Sequence, residues 1–190
     1  MTLVCRARPH QLASWATRIG AGKKGALVAR EDAQMRTAHY VPAGRDRFRG
    51  KREVFGSRVI DTKVSALDTN GGLYVSELID VHKGGPARHL HHEQEEWFYV
   101  LEGEYIIEVG DERYELGPGD SVLAPRKVAH VWAHVGDGRG RLIAAVQPAG
   151  QIEAFFDVLA KLGSSPKREE LRRAFSSHGM ELVGPPLSIA

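Results

Sequence analysis

Gly85-Pro86-Ala87-Arg88-His89-Leu90-His91-His92-Glu93-Gln94-Glu95-Glu96, running on through Trp97-Phe98-Tyr99-Val100-Leu101-Glu102-Gly103, decides how this chain reads. Side chains two apart on a strand point to the same face, so His89 and His91 can enter one space. Glu96 comes five residues after His91, the wrong parity for an unbroken strand. A turn around His92–Gln94 restores its inward direction. His130, from a later strand, closes the set. Three imidazoles and one carboxylate form a donor set of moderate softness, suited to Fe(II), Mn(II), Ni(II), Zn(II) or Cu(II). One such divalent metal per chain is expected, with one or two coordination positions left for substrate or oxygen. Six of the nine histidines fall between His82 and His134, which sets this stretch apart. His92 faces opposite to His91, Glu95 is the rival to Glu96 as carboxylate ligand, and His10, His39, His82 and His178 read as ordinary structural or surface positions.

Working outward, Val59–Val64, Leu73–Asp80, Trp97–Leu101, Tyr105–Val109, Arg113–Leu116, Ser121–Leu123, Val128–Val135 and Arg141–Val146 read as short strands. Turn signals separate them, among them Asn70-Gly71-Gly72, Gly110-Asp111 and Gly117-Pro118-Gly119-Asp120. Such spacing points to an all-β sandwich or barrel. Parity also names the walls of the expected cavity. Phe98 shares the face of Glu96, while Val128, Trp132 and His134 share the face of His130. These are the candidate substrate-binding residues. Trp132 reads equally as plain core, and His134 as a base or a substrate contact. Trp97, Tyr99 and Leu101 point the other way, toward a second sheet or a second copy of the chain.

After the barrel the period changes. Ile152, Phe155, Phe156 and Leu159 make one apolar helix face. Ser165-Pro166 reads as the N-cap and first residue of a second helix, with Leu171 and Phe175 on one face and Gly179 as its stop. Both helices are expected to pack outside the β-body.

The glycine-led pair His89 and His91, then Glu96 and Gly103, resembles the first motif of the cupins. Gly119, Pro125 and His130 resemble the second, across a short spacer. Between about residues 57 and 147 the chain is most similar to small single-domain bacterial cupins of the quercetin dioxygenase-like kind. The resemblance implies a jelly-roll β-barrel with a metal near its centre, held by His89, His91, Glu96 and His130. It also implies that Glu96 can leave the metal and act as a base. Lys127 stands where the second motif usually has glycine, and His134 where it often has asparagine.

The organisation that follows is a basic extension over residues 1–34, a cupin barrel over 35–148 and a helical tail over 149–190. The extension reads as a transit-like or poorly structured segment, or as sequence upstream of an initiator at Met35. Residues 1–56 carry 12 Lys/Arg against 4 Asp/Glu, while residues 57–190 carry 14 against 20. A basic leader on an acidic body is not the pattern of a nucleic-acid-binding domain. Residues 45–52 read as a solvated lead-in. No apolar run is long enough for a membrane span. The single cysteine, Cys5, excludes a disulfide framework and fits a reducing compartment, so a cytoplasmic location is expected. The leading expectation is a mononuclear dioxygenase-type enzyme, with iron first among the metals, acting on an enol- or phenol-like substrate, as a homodimer. The other two are a non-oxidative metal-dependent isomerase, lyase or hydrolase, and a small-molecule-binding cupin without turnover.

Overall fold

The computed structural model describes residues 38–48 and 50–189. The expected extension over residues 1–34, which holds Cys5 and His10, and the expected initiator Met35 lie outside the described residues. The elements in order are β1 (Arg52–Val54), β2 (Arg58–Val64), β3 (Tyr74–Asp80), β4 (Ala87–His91), β5 (Glu95–Glu102), β6 (Tyr105–Val109) and β7 (Glu112–Leu116). Then come β8 (Ser121–Ala124), β9 (His130–His134), β10 (Gly140–Gln147), α1 (Ile152–Lys161), α2 (Arg168–Ser176) and β11 (Met180–Pro186). A 3-10 turn at Ala66–Thr69 joins β2 to β3.

The strands form two antiparallel sheets, ordered β1-β2-β3-β10-β5-β8 and β11-β4-β9-β6-β7, in a jelly-roll-like arrangement. Alternation builds the core between them. Along β5, Glu96, Phe98 and Val100 are buried while Trp97 and Leu101 are exposed. Along β10, Leu142, Ala144 and Val146 are buried every second residue. Phe98, Tyr105, Ile107 and Trp132 fill the space between the sheets. The turn from β5 to β6 depends on Gly103, whose φ is +85 and whose Cβ would meet the Arg139 carbonyl oxygen at 3.0 Å. Gly85 permits the closest backbone approach, because a Cβ there would lie 1.6 Å from the Trp132 carbonyl oxygen.

Four features differ from the reading of the sequence. The strand expected at Val128–Val135 begins only at His130, because Lys127 takes a left-handed φ of +65 in the preceding turn. The second helix starts at Arg168, where Glu170 accepts a hydrogen bond from the Lys167 N–H, so Ser165-Pro166 precedes the cap. The tail is not wholly helical: β11 returns to the second sheet and pairs with β4. Its Pro185 and Pro186 are tolerated because β11 is an edge strand. Finally, Arg47 and Arg52 are not simply solvated. Arg47 holds Asp68 through two hydrogen bonds, and Arg52 reaches Thr62 and Asp157. No helix among the described residues is long and apolar enough to cross a membrane.

Candidate metal centre

β4 ends at His91 and β5 begins at Glu95, so the chain turns at His92–Gln94 and Glu96 faces the interior. His89 pairs with His130 across β4 and β9 in one sheet, while Glu96 lies in the other sheet between Val146 and Ala124. The four side chains thus meet between the sheets, and their ligand atoms all lie within 4.8 Å of one another. His91 and His130 are each 1% exposed.

The tautomers follow from what lies behind each ring. His89 Nδ1 is 2.8 Å from the Ala87 carbonyl oxygen, and His130 Nδ1 is 3.1 Å from the Val128 carbonyl oxygen. His91 Nδ1 is 3.0 Å from Gln94 Oε1. The Gln94 amide nitrogen donates to the carbonyls of Pro148 and Ala149, which fixes its oxygen toward His91. Each Nδ1 therefore faces an acceptor and carries the proton, so each Nε2 in the neutral ring presents a lone pair to the centre. Glu96 Oε2 sits among them, 3.1 Å from His130 Nε2 and 3.2 Å from His91 Nε2. His91 Nε2 is not aligned for a hydrogen bond there and has no other partner.

Acceptors facing acceptors in a buried space call for a positive charge between them. A proton shared with His91 or His130 is one solution. Burial opposes charging the His91 ring, yet the Glu96 carboxylate beside it raises its pKa. Burial would likewise raise the Glu96 carboxyl, but His130 and His91 hold it well below the usual carboxylate range. A proton does nothing for His89, whose pKa burial and the neighbouring His130 push down to about 3. A divalent cation satisfies all four groups at once. Three imidazoles oriented through their Nδ1 atoms and one ionised carboxylate fit a transition metal, which would displace any proton shared between Glu96 and its histidines.

Below the ligands lies a chamber of about 70 Å³, reached by His89, His91 and Glu96 and lined by Ile60, Leu78, Trp132, Phe155 and Met180 among others. That is roughly the space of two waters. Phe175 of α2 covers it, with its ring centroid 5.2 Å from His89 and 4.7 Å from Phe155 of α1. Arg58 is the chamber's one cationic wall residue. It donates to Asp80 at 2.7 Å and stacks 4.3 Å from the Trp132 ring. Tyr105 donates to the other Asp80 oxygen, and burial together with that carboxylate raises its pKa and keeps it protonated.

Of the expected substrate contacts, Trp132 lines the chamber. Phe98 packs behind it, 6.1 Å from His130 and 6.4 Å from Trp132. Val128 serves through its carbonyl, not its side chain. His134 does not reach the chamber. It shares the face of His130, but four residues of strand carry it about 13 Å further. There it packs against Tyr105 and Gly140. Gln94, Arg58, Phe155 and Phe175 were not singled out by the sequence as site residues. Gln94 had one legible signal, its place in the turn between two ligands.

The family model described as "Cupin domain" matches residues 77–146, a stretch that holds all four candidate ligands. The uncharacterised protein MJ1618 of Methanocaldococcus jannaschii is 28% identical over 60 residues, covering 32% of this chain and 48% of that protein. The chain thus spans about half the length of the curated relative it matches. Among solved structures, KdgF from Halomonas sp. aligns at 18% identity over 59% of this chain and 94% of that one, with a TM-score of 0.48. An RmlC-like cupin from Shewanella frigidimarina aligns at 22% identity over 62% of this chain and 96% of that one, also at 0.48. These likenesses say nothing about substrate. The segment that carries the metal-ligand quartet is a cupin domain.

Proposed function

We propose that this cupin is a mononuclear metal oxygenase, with Fe(II) the leading metal, acting on an enol- or phenol-like organic substrate. The observation that carries the reading is the set of three Nδ1-anchored imidazoles around Glu96, beside a small, mostly apolar chamber. A redox-active metal bound there would supply a substrate oxygen with a Lewis acid and an electron relay to dioxygen. The protein does the rest. His89, His91 and His130 hold fixed orientations through their backs, so they offer a rigid face. Glu96 is ionised and can take the enol or phenol proton at Oε2. Trp132, Phe155 and Phe175 keep water from the reacting carbon. The chamber admits only the reacting end of an organic molecule, because its volume is so small.

The test is oxygen uptake by protein loaded with Fe(II), offered enediols, phenols and flavonols in turn. Uptake matched to substrate loss supports an oxygenase. Full turnover of a carbonyl substrate with zinc under argon would replace it with Lewis-acid catalysis. Saturable binding without product would leave a binding module. We further place the protein in the cytoplasm, acting as a homodimer paired through Trp97, Tyr99 and Leu123. Trp97 and Tyr99 stack at 5.7 Å on the outer face of β5, opposite the exposed Leu123.

A further inference from the structure

Beside the chamber lies a larger basin of about 750 Å³, bordered by the β1–β2 turn, the residues leading into β4, α2 and the end of β11. Phe55, Arg58, Pro86, Ala87 and Leu171 line both spaces, so a single wall of side chains separates them. Phe55 holds a left-handed φ of +58, a conformation that a bulky side chain rarely adopts and that needs its surroundings to enforce it.

The charges around the basin are one-sided. Arg58, Lys83, Arg168 and Arg172 border it and no carboxylate does. Arg58 is paired with Asp80, and Lys83 with the exposed Asp137 at 3.0 Å. Arg168 and Arg172 make no ion pair among the described residues. They stand four apart on α2, so their side chains are neighbours on one face. This unpaired positive edge belongs to a body with 20 acidic and 14 basic residues over 57–190, so it is not a general surface property. Guanidinium pairs match the geometry of oxyanions. Phe55, Pro86, Leu171 and Leu182 supply apolar wall, beside the polar Ser57 and His82.

We propose that the basin binds an amphipathic organic anion. Its carboxylate or phosphate is held by Arg168 and Arg172, and its apolar body lies against Phe55 and Leu171. Its far end passes that wall into the chamber. The inference rests on the metal-centre reading above for what happens at the far end, but the anion site itself stands on the basin alone. It also resolves a mismatch of size: the chamber holds about two waters, while the basin has the volume of a typical small-molecule site.

Anilinonaphthalene sulfonate, an aromatic anion that fluoresces on binding, is the probe, with uncharged phenylnaphthylamine as its control. The full chain should bind the sulfonate saturably. Replacing both arginines (Arg168→Gln with Arg172→Gln) should weaken it about tenfold or more and leave the uncharged probe unaffected. The same exchange at Lys167, just before that helix, and Arg173, on it, both outside the basin lining, should change nothing. Displacement by naphthoate or by naphthyl phosphate identifies the oxyanion. Unchanged affinity in the Arg168/Arg172 variant, equal weakening in the Lys167/Arg173 variant, or displacement by neither competitor overturns the proposal. Glu96→Gln, expected to lose metal, should keep sulfonate binding, so failure of the metal reading is seen separately from failure of this one.

Discussion

Gln94 joins two parts of the molecule, its carbonyl oxygen accepting from His91 Nδ1 and its amide nitrogen donating to the backbone that follows β10. Gln94→Leu keeps the bulk and removes both functions. It should lower metal affinity about 10- to 100-fold, the usual effect of losing a ligand's outer partner, while the fold persists; competition with a chelating dye reads this. Lys127 poses a different question. Its φ of +65 costs a non-glycine residue about 1–2 kcal/mol, against about 0.5–1 kcal/mol for glycine's greater freedom when unfolded. Lys127→Gly should therefore raise the melting temperature by about 2 °C, measured by calorimetry. His89 supplies a pH signature. Burial and the neighbouring His130 push its pKa from the ordinary 6.5 down to about 3 in the folded, metal-free protein. Between those values the unfolded state binds the extra proton, so stability is lost as pH falls from about 6.5 toward about 3. Glu96, with its depressed pKa, adds a further loss below its ordinary value of 4.5. Urea midpoints of metal-free protein across this range should fall with pH, more shallowly in His89→Gln.

β4 carries two of the four ligands, yet His89–His130 is its one register pair with β9. Its other edge is held by β11, where Met180, Glu181 and Leu182 oppose His91, Leu90 and His89. The last strand of the chain is thus a clamp on the metal ligands. A chain ended at Gly179 loses that clamp and the buried Met180. It should melt roughly 10 °C lower and bind metal poorly, as thermal unfolding with and without metal will record. This clamp was the least legible element of the sequence. Met180-Glu181-Leu182-Val183-Gly184-Pro185-Pro186 ends in residues that break strands, and only its edge position excuses them. The His89/His91 strand was legible because parity is a local rule, and so was the turn that reverses it before Glu96. The cover over the chamber was half legible. Phe155 and Phe175 were readable as apolar helix faces, but not what those faces would meet, since that depends on where the helices land.

At the scale of the molecule, two sheets bring Glu96 from one side and three histidines from the other, and neither sheet alone makes the centre. That the four converge was legible from their spacing, but not which sheet each would belong to. His134 shows the limit of the same rule, because parity fixes which way a side chain points and not how far along the strand the site extends. The exposed apolar strip of Trp97, Leu101 and Leu123 belongs to this scale too. If two copies meet there, Trp97→Glu with Leu123→Glu should halve the mass seen by light scattering and leave metal content unchanged. The most direct test of the whole account is the metal itself, counted by elemental analysis in protein reconstituted with Fe(II) and then desalted. Wild type and His92→Ala should each retain about one metal per chain, and His91→Ala should lose most of it. A wild-type protein that retains no transition metal, or a His92→Ala variant that loses it while His91→Ala does not, would contradict the assignment of this cluster.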